Sequence, residues 1–122
     1  MSITSYKDLL IWQKGIELAV DVYSLTKDFP DTEKYGLTSQ LQRCASSVPA
    51  NIAEGYGRQS TKSYSQFIKI SRGSLFELET FLILAERLSY ISKSDLYNKI
   101  KNEISEEGKM LNAFIKKLDE KK

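Results

Sequence analysis

Five cations offer this chain its clearest route to chemistry with a partner: Arg43, Arg58, Lys62, Lys69 and Arg72. They fall in residues 34–72, which hold six basic residues against one acidic. Residues 1–33 hold three basic and six acidic residues, residues 73–122 hold nine of each, and the net charge is only +2. The middle third is therefore the one part with an electrostatic bias. Cations so grouped suit phosphates, because each contact neutralises a charge and releases counterions. The phosphates of a nucleic acid are the partner chemistry this pattern suits. A structural reading stays open beside it. Arg43 and Glu54 share a helical stripe and are able to pair, within or between subunits. Asn51 and Glu54 are able to tie down a proline bend or a subunit contact, and Lys62 and Lys69 to stand as solvated charges.

Other chemistries find little support. The chain has no histidine, the commonest general base and metal ligand, and one cysteine, Cys44, on an apolar helix face where it reads as a small core residue. A lone cysteine staples nothing, which fits a reducing cytoplasm. No Asp, Glu and Cys run has metal spacing, and there is no phosphate-cradling glycine loop, nucleophile elbow or Cys-x-x-Cys. Glu54, Glu77 and Glu79 come from two helices but lack the Glu-x-x-His pair of a di-iron bundle. No enzyme, metal, cofactor or small-molecule substrate is expected. No apolar run approaches the ~20 residues of a membrane span, and the N-terminus has no signal pattern, so a cytoplasmic location without a membrane partner is expected.

The elements that must position the cations read as helices throughout. The first is predicted over about 7–27, capped by Ser5. It has two apolar stripes: Leu9, Trp12, Ile16, Ala19, Val20 and Tyr23, and, about 100° away, Ile11, Leu18, Val22 and Leu25. Together they cover roughly 220° of the wheel, where a helix facing only its own core needs ~100° or a little more. The surplus predicts contact with another copy of the chain, and the Ile11, Leu18, Val22, Leu25 stripe is the candidate oligomer interface, with Asn51 and Glu54. Pro30 closes the first connection. The second helix is predicted over 33–56, capped by Asp31 or Thr32. Its apolar line is Leu37, Leu41, Cys44, Val48, Ile52 and Tyr56. Pro49 interrupts its hydrogen bonding but not its spacing, so a bend is expected there. Ser46 or Ser47 would serve part of the freed backbone, and Gly55 or Gly57 would make a left-handed stop. The third helix, 62–88, is capped by Ser60 or Thr61, and small Ser71, Gly73 and Ser74 predict a close helix neighbour. The fourth, 94–118, opens with a Ser92–Asp95 capping box. It buries Leu96, Ile100, Ile104, Leu111, Ile115 and Leu118, puts its mixed charges in solvent, and frays over Lys116–Lys122. Short links between four such helices give a single all-α domain, an antiparallel up-down-up-down bundle.

Several blocks resemble a known family. Tyr6-Lys7-Asp8-Leu9-Leu10-Ile11-Trp12-Gln13-Lys14, Phe29-Pro30, Tyr35-Gly36-Leu37, Gln40-Leu41-Gln42-Arg43, Ser46 to Arg58, and Arg72-Gly73-Ser74-Leu75-Phe76-Glu77-Leu78-Glu79-Thr80 are similar to segments of the bacterial S23-type proteins. Those proteins are encoded by intervening sequences in 23S ribosomal RNA genes. The resemblance implies a homopentameric ring of four-helix bundles without known catalysis. It extends to the accessory variability proteins of diversity-generating retroelements, which bind nucleic acid and a reverse transcriptase and are usually more basic than this chain. Gly15 stands where the family more often has alanine. With that resemblance the chain reads as an oligomeric, non-catalytic module that engages RNA, or an RNA-handling protein, through its middle segment, or else as a scaffold for a protein partner.

Overall fold

The computed structural model describes residues 2–121. Four helices carry the chain: α1 (Leu10–Thr26), α2 (Leu37–Tyr56), α3 (Thr61–Arg87) and α4 (Ser94–Asp119). Each of α1 and α3 packs on both α2 and α4, while the backbones of α1 and α3, like those of α2 and α4, lie on diagonals without close approach. The short links and this cyclic order make the four-helix bundle that the periodicity predicts.

Helix boundaries follow local chemistry that the periodicity does not encode. Ser5 caps a short 3-10 turn, Tyr6–Asp8, rather than α1 itself. Its hydroxyl accepts the Lys7 amide at 3.2 Å while Asp8 accepts the Ser5 amide at 3.1 Å. Leu9 is extended, which separates the turn from α1. α2 starts at Leu37, not at residue 33, because Asp31–Glu33 form a turn of their own. Glu33 then reaches forward to accept the Leu37 amide at 3.0 Å and the Tyr90 hydroxyl at 2.9 Å. Those two bonds, the amide first, hold its carboxyl below the usual range.

α2 continues through Pro49. The helix does not end in a left-handed glycine: Gly57 caps it at φ −78°, and among the described residues the one with positive φ is Ser89, at 63°, after α3. Gly55 is helical and serves a different purpose, letting α3 come close. A Cβ there would lie 3.0 Å from both Phe67 Cβ and Tyr64 Cδ1, and 3.2 Å from the Tyr64 carbonyl oxygen. Further along the same seam, Ser71 donates to the Val48 carbonyl at 2.9 Å and Ser47 and Ser74 share a hydrogen bond of 2.9 Å. The small residues of α3 thus seat α2 as expected, except Gly73, whose missing Cβ would point into open space.

Ser60 caps α3 by accepting the Ser63 amide at 3.0 Å. The Ser92–Asp95 box does not form; Lys93 occupies the cap position without a side-chain bond to the helix. Its amine reaches across to α1, 3.0 Å from the Ser24 carbonyl and 3.4 Å from Asp28. α4 stays helical through Asp119, so the frayed end expected from Lys116 does not begin there, and Lys122 lies outside the described residues.

The core corrects the assignment of the stripes on α1. Ile11, Leu18, Val22 and Leu25 are all buried, facing the bundle axis together with Gly15. They are not available to a neighbouring copy. Gly15 decides this orientation. It lies on the same line, and a Cβ there would stand 3.3 Å from Pro49 Cβ, so the bare backbone lets α1 press this face onto α2. Of the other stripe, Ile16, Val20 and Tyr23 are exposed, Val20 by 58%, while Ala19 is buried and Leu9 and Trp12 pack half-buried against the core.

Candidate functional site

The five cations do not converge on one patch. Arg58 and Lys62 sit on either side of the α2–α3 turn. Arg43 lies 13 residues before the end of α2, about 20 Å away along the helix. Three of the five already have partners. Arg58 pairs with Glu54 at 2.9 Å, with its guanidinium 4.4 Å over the Phe67 ring. Glu54 is thus taken by Arg58, not by Arg43. Lys69 pairs with Asp119 at 3.3 Å, and Arg72 donates to Asn112 at 2.9 Å. Among the described residues, Arg43 and Lys62 have no side-chain partner.

Lys62 and Lys69 line a shallow cleft of about 400 Å³ between the start of α3 and the end of α4. Asp119 also lines it and accepts the Ser65 hydroxyl at 2.6 Å. A carboxylate in that place repels a phosphate, so the cleft is a poor anion site. Asn51 is half-buried and looks inward: its amide nitrogen donates to the Ser47 carbonyl at 2.9 Å and the Ser47 hydroxyl at 2.8 Å. It braces the segment around Pro49, one of the two uses open to it from sequence.

Two apolar faces remain uncovered. On α1 they are Ile16, Val20 and Tyr23, around a hollow floored by Ala19. On α3 they are Ile70, Phe76, Ile83 and Leu84, with Phe76 exposed by 54%. Because α1 and α3 occupy opposite corners of the bundle, these faces point away from each other. The α3 face was not read from sequence. Its signal was present: Ile70, Phe76, Ile83 and Leu84 lie off the core line of Ser71, Leu75, Leu78 and Leu82, making α3 too apolar for one contact.

A third feature also escaped the sequence reading. The charges of α4 were assigned to solvent, yet Glu107 is 1% exposed and neither carboxyl oxygen has a hydrogen-bond partner. Burial pushes its acid up to about 8, with Lys14 opposing and Glu106 adding. One turn earlier, Glu103 is pushed up to about 7, by burial first and then by Asp21, which itself holds Lys99 at 2.9 Å. The spacing had marked Glu107: it falls three residues after Ile104 and four before Leu111, in the gap of the apolar line.

Among the described residues, no three or more of His, Cys, Asp and Glu gather where a metal could bind, and no helix is long and apolar enough to cross a membrane. Fold and surface together define a four-helix bundle with uncovered apolar faces. The sequence profile of the 23S rRNA-intervening sequence protein family matches residues 7–113, and the chain belongs to that family. It is also similar to a crystal structure of a protein with unknown function from the S23 ribosomal protein family of Bacteroides thetaiotaomicron VPI-5482. The two share 29% identity at a TM-score of 0.78, over 88% of this chain and 96% of that one. Among curated proteins none matches.

Proposed function

We propose that this protein is a non-catalytic building block that assembles head to tail with copies of itself into a ring, which then serves as a scaffold for a protein partner. The observation that carries this reading is the pair of uncovered apolar faces on opposite corners. One copy offers Ile16, Val20 and Tyr23 of α1 to Ile70, Phe76, Ile83 and Leu84 of α3 on the next. Each copy keeps one face of each kind for its other neighbour, which is what a closed ring requires. Five copies is the number the family resemblance implies.

Sedimentation equilibrium tests this. The expected mass is about 70 kDa, five times the 13.9 kDa chain. Val20→Asp or Ile83→Asp alone places a charge in the contact, which is expected to weaken it at least ~100-fold and return the chain to single copies. A single-copy mass for the unaltered protein at every concentration overturns the reading.

The second reading, an RNA-binding ring, is supported by the exposed, unpartnered Arg43 and Lys62 and by the avidity that several copies would give. The partners already held by Arg58, Lys69 and Arg72 favour the scaffold. RNA retention that falls steeply with salt, and is lost on replacing Arg58 and Lys62 together, would decide for RNA. No retention at low salt decides for the scaffold.

A further inference from the structure

Three unusual residues meet at one point inside the bundle. Gly15 of α1 has no side chain, Pro49 of α2 has no amide hydrogen, and Glu107 of α4 is a buried acid without a partner. A Cβ on Gly15 would lie 3.3 Å from Glu107 Oε2 and 3.3 Å from Pro49 Cβ. The absent side chain is what leaves room for the carboxyl.

Pro49 withholds one backbone donor beside it. The Ala45 carbonyl would ordinarily accept the amide of residue 49, and proline has none. The neighbouring serines do not help: Ser46 donates to the Arg43 carbonyl, and Ser47 is engaged with Ser74 and Asn51. Ala45 is itself fully buried, so water is a poor substitute. A neutral carboxyl has one hydrogen to give, and the Ala45 carbonyl points along α2 toward residue 49, the proline whose Cβ, like Glu107 Oε2, lies 3.3 Å from where a Cβ on Gly15 would be.

We propose that Glu107 is a buried proton-binding site joining α1, α2 and α4, which in its neutral form gives its O–H to the Ala45 carbonyl and on losing the proton loosens the seam between α1 and α4. The chemistry balances simply. Deprotonation turns the donor into a carboxylate, which repels the carbonyl oxygen it had served and must find water or a cation. Lys14 of α1 is the cation within electrostatic reach, and Glu106 of α4 is the other charge acting on the site; among the described residues of α2 and α3 none does. Glu103, one turn earlier, adds a second acid to the same seam, facing Asp21 and Glu17 of α1 and Lys99 of α4. The seam thus carries two carboxyls that favour the neutral form, at about 8 and about 7. Proton loss from either pulls in one direction, toward opening.

Carbon-detected NMR titration of the glutamate carboxyls tests the proposal, with Glu107→Gln identifying the resonance. The expected result is one carboxyl that titrates near pH 8 in the unaltered protein and is absent from the variant. Pro49→Ala is the discriminating change. It returns an amide to the Ala45 carbonyl while leaving Glu107 buried. Losing that acceptor is expected to lower the Glu107 midpoint by about one pH unit, the tenfold change in proton affinity that one hydrogen bond supplies. A Glu107 midpoint below about pH 6 in the unaltered protein overturns the proposal, on the ordinary carboxyl range. So does a midpoint that Pro49→Ala leaves in place.

Discussion

Replacing Glu107 by glutamine is expected to raise the stability of the bundle by roughly 3 kcal/mol at neutral pH. The sign follows from the direction of the shift. The acid stands at about 8 in the folded chain against 4.5 for an unperturbed glutamate, so the folded state holds its proton more tightly. Its favourable contribution is complete below pH 4.5, drains as the pH rises from 4.5 to 8, and is gone above. Glutamine keeps the shape and the donor without the charge. Urea unfolding should therefore show the variant and the parent within ~1 kcal/mol at about pH 5 and well apart at about pH 9. Glu103 shifts in the same direction, so a residual alkaline loss should persist in the variant. A parent whose stability is level across that span would show Glu107 to be ionised and solvated.

Gly55→Ala is expected to cost about 2 kcal/mol, although alanine is favoured over glycine inside a helix by roughly 1 kcal/mol. The contacts set the sign. Two of the atoms that a new methyl would meet belong to Tyr64 and Phe67 side chains, at 3.0 Å, and the third is the Tyr64 carbonyl oxygen, at 3.2 Å. Backbone of α3 cannot rotate aside as a flexible side chain can. The two helices must move apart, and the hydrogen bonds from Ser71 to Val48 and between Ser47 and Ser74 lie on the same seam. Thermal unfolding is the direct measurement; a variant as stable as its parent would mean that α2 and α3 separate there without loss. Gly57→Ala makes the control, since its nearest contacts would be ordinary ones, at 3.7 Å and beyond.

The number and type of the helices were legible because apolar spacing along each is long and regular. The ends were less so. Glu33 caps α2 from four residues away and bonds Tyr90, a partner 57 positions distant that no local pattern announces. Lys93 abandons the cap it was read beside because Ser24 and Asp28 lie within reach only once α1 and α4 are packed. The largest error concerned orientation. Two apolar stripes on α1 were visible, but composition does not say which faces inward. Gly15 does say so, since the least bulky position on a helix marks its closest approach. The family resemblance marks that position only as a departure from alanine. The basic residues illustrate the opposite limit: sequence found the charge bias, and the folded chain shows that much of it is spent on Glu54, Asp119 and Asn112.

In the proposed assembly, mating the outer side of α1 to that of α3 would join unlike patches, so the contact would have a direction and no twofold axis. Each added copy would repeat one rotation. Whether the series closes depends on that angle alone, and a few degrees separate one closed number from another, or from an endless thread. Bulk at Val20 or Phe76 acts as a wedge on that angle. An apolar change of size there, unlike the charge of Val20→Asp, would therefore change how many copies make a circle before it weakened the bond between any two.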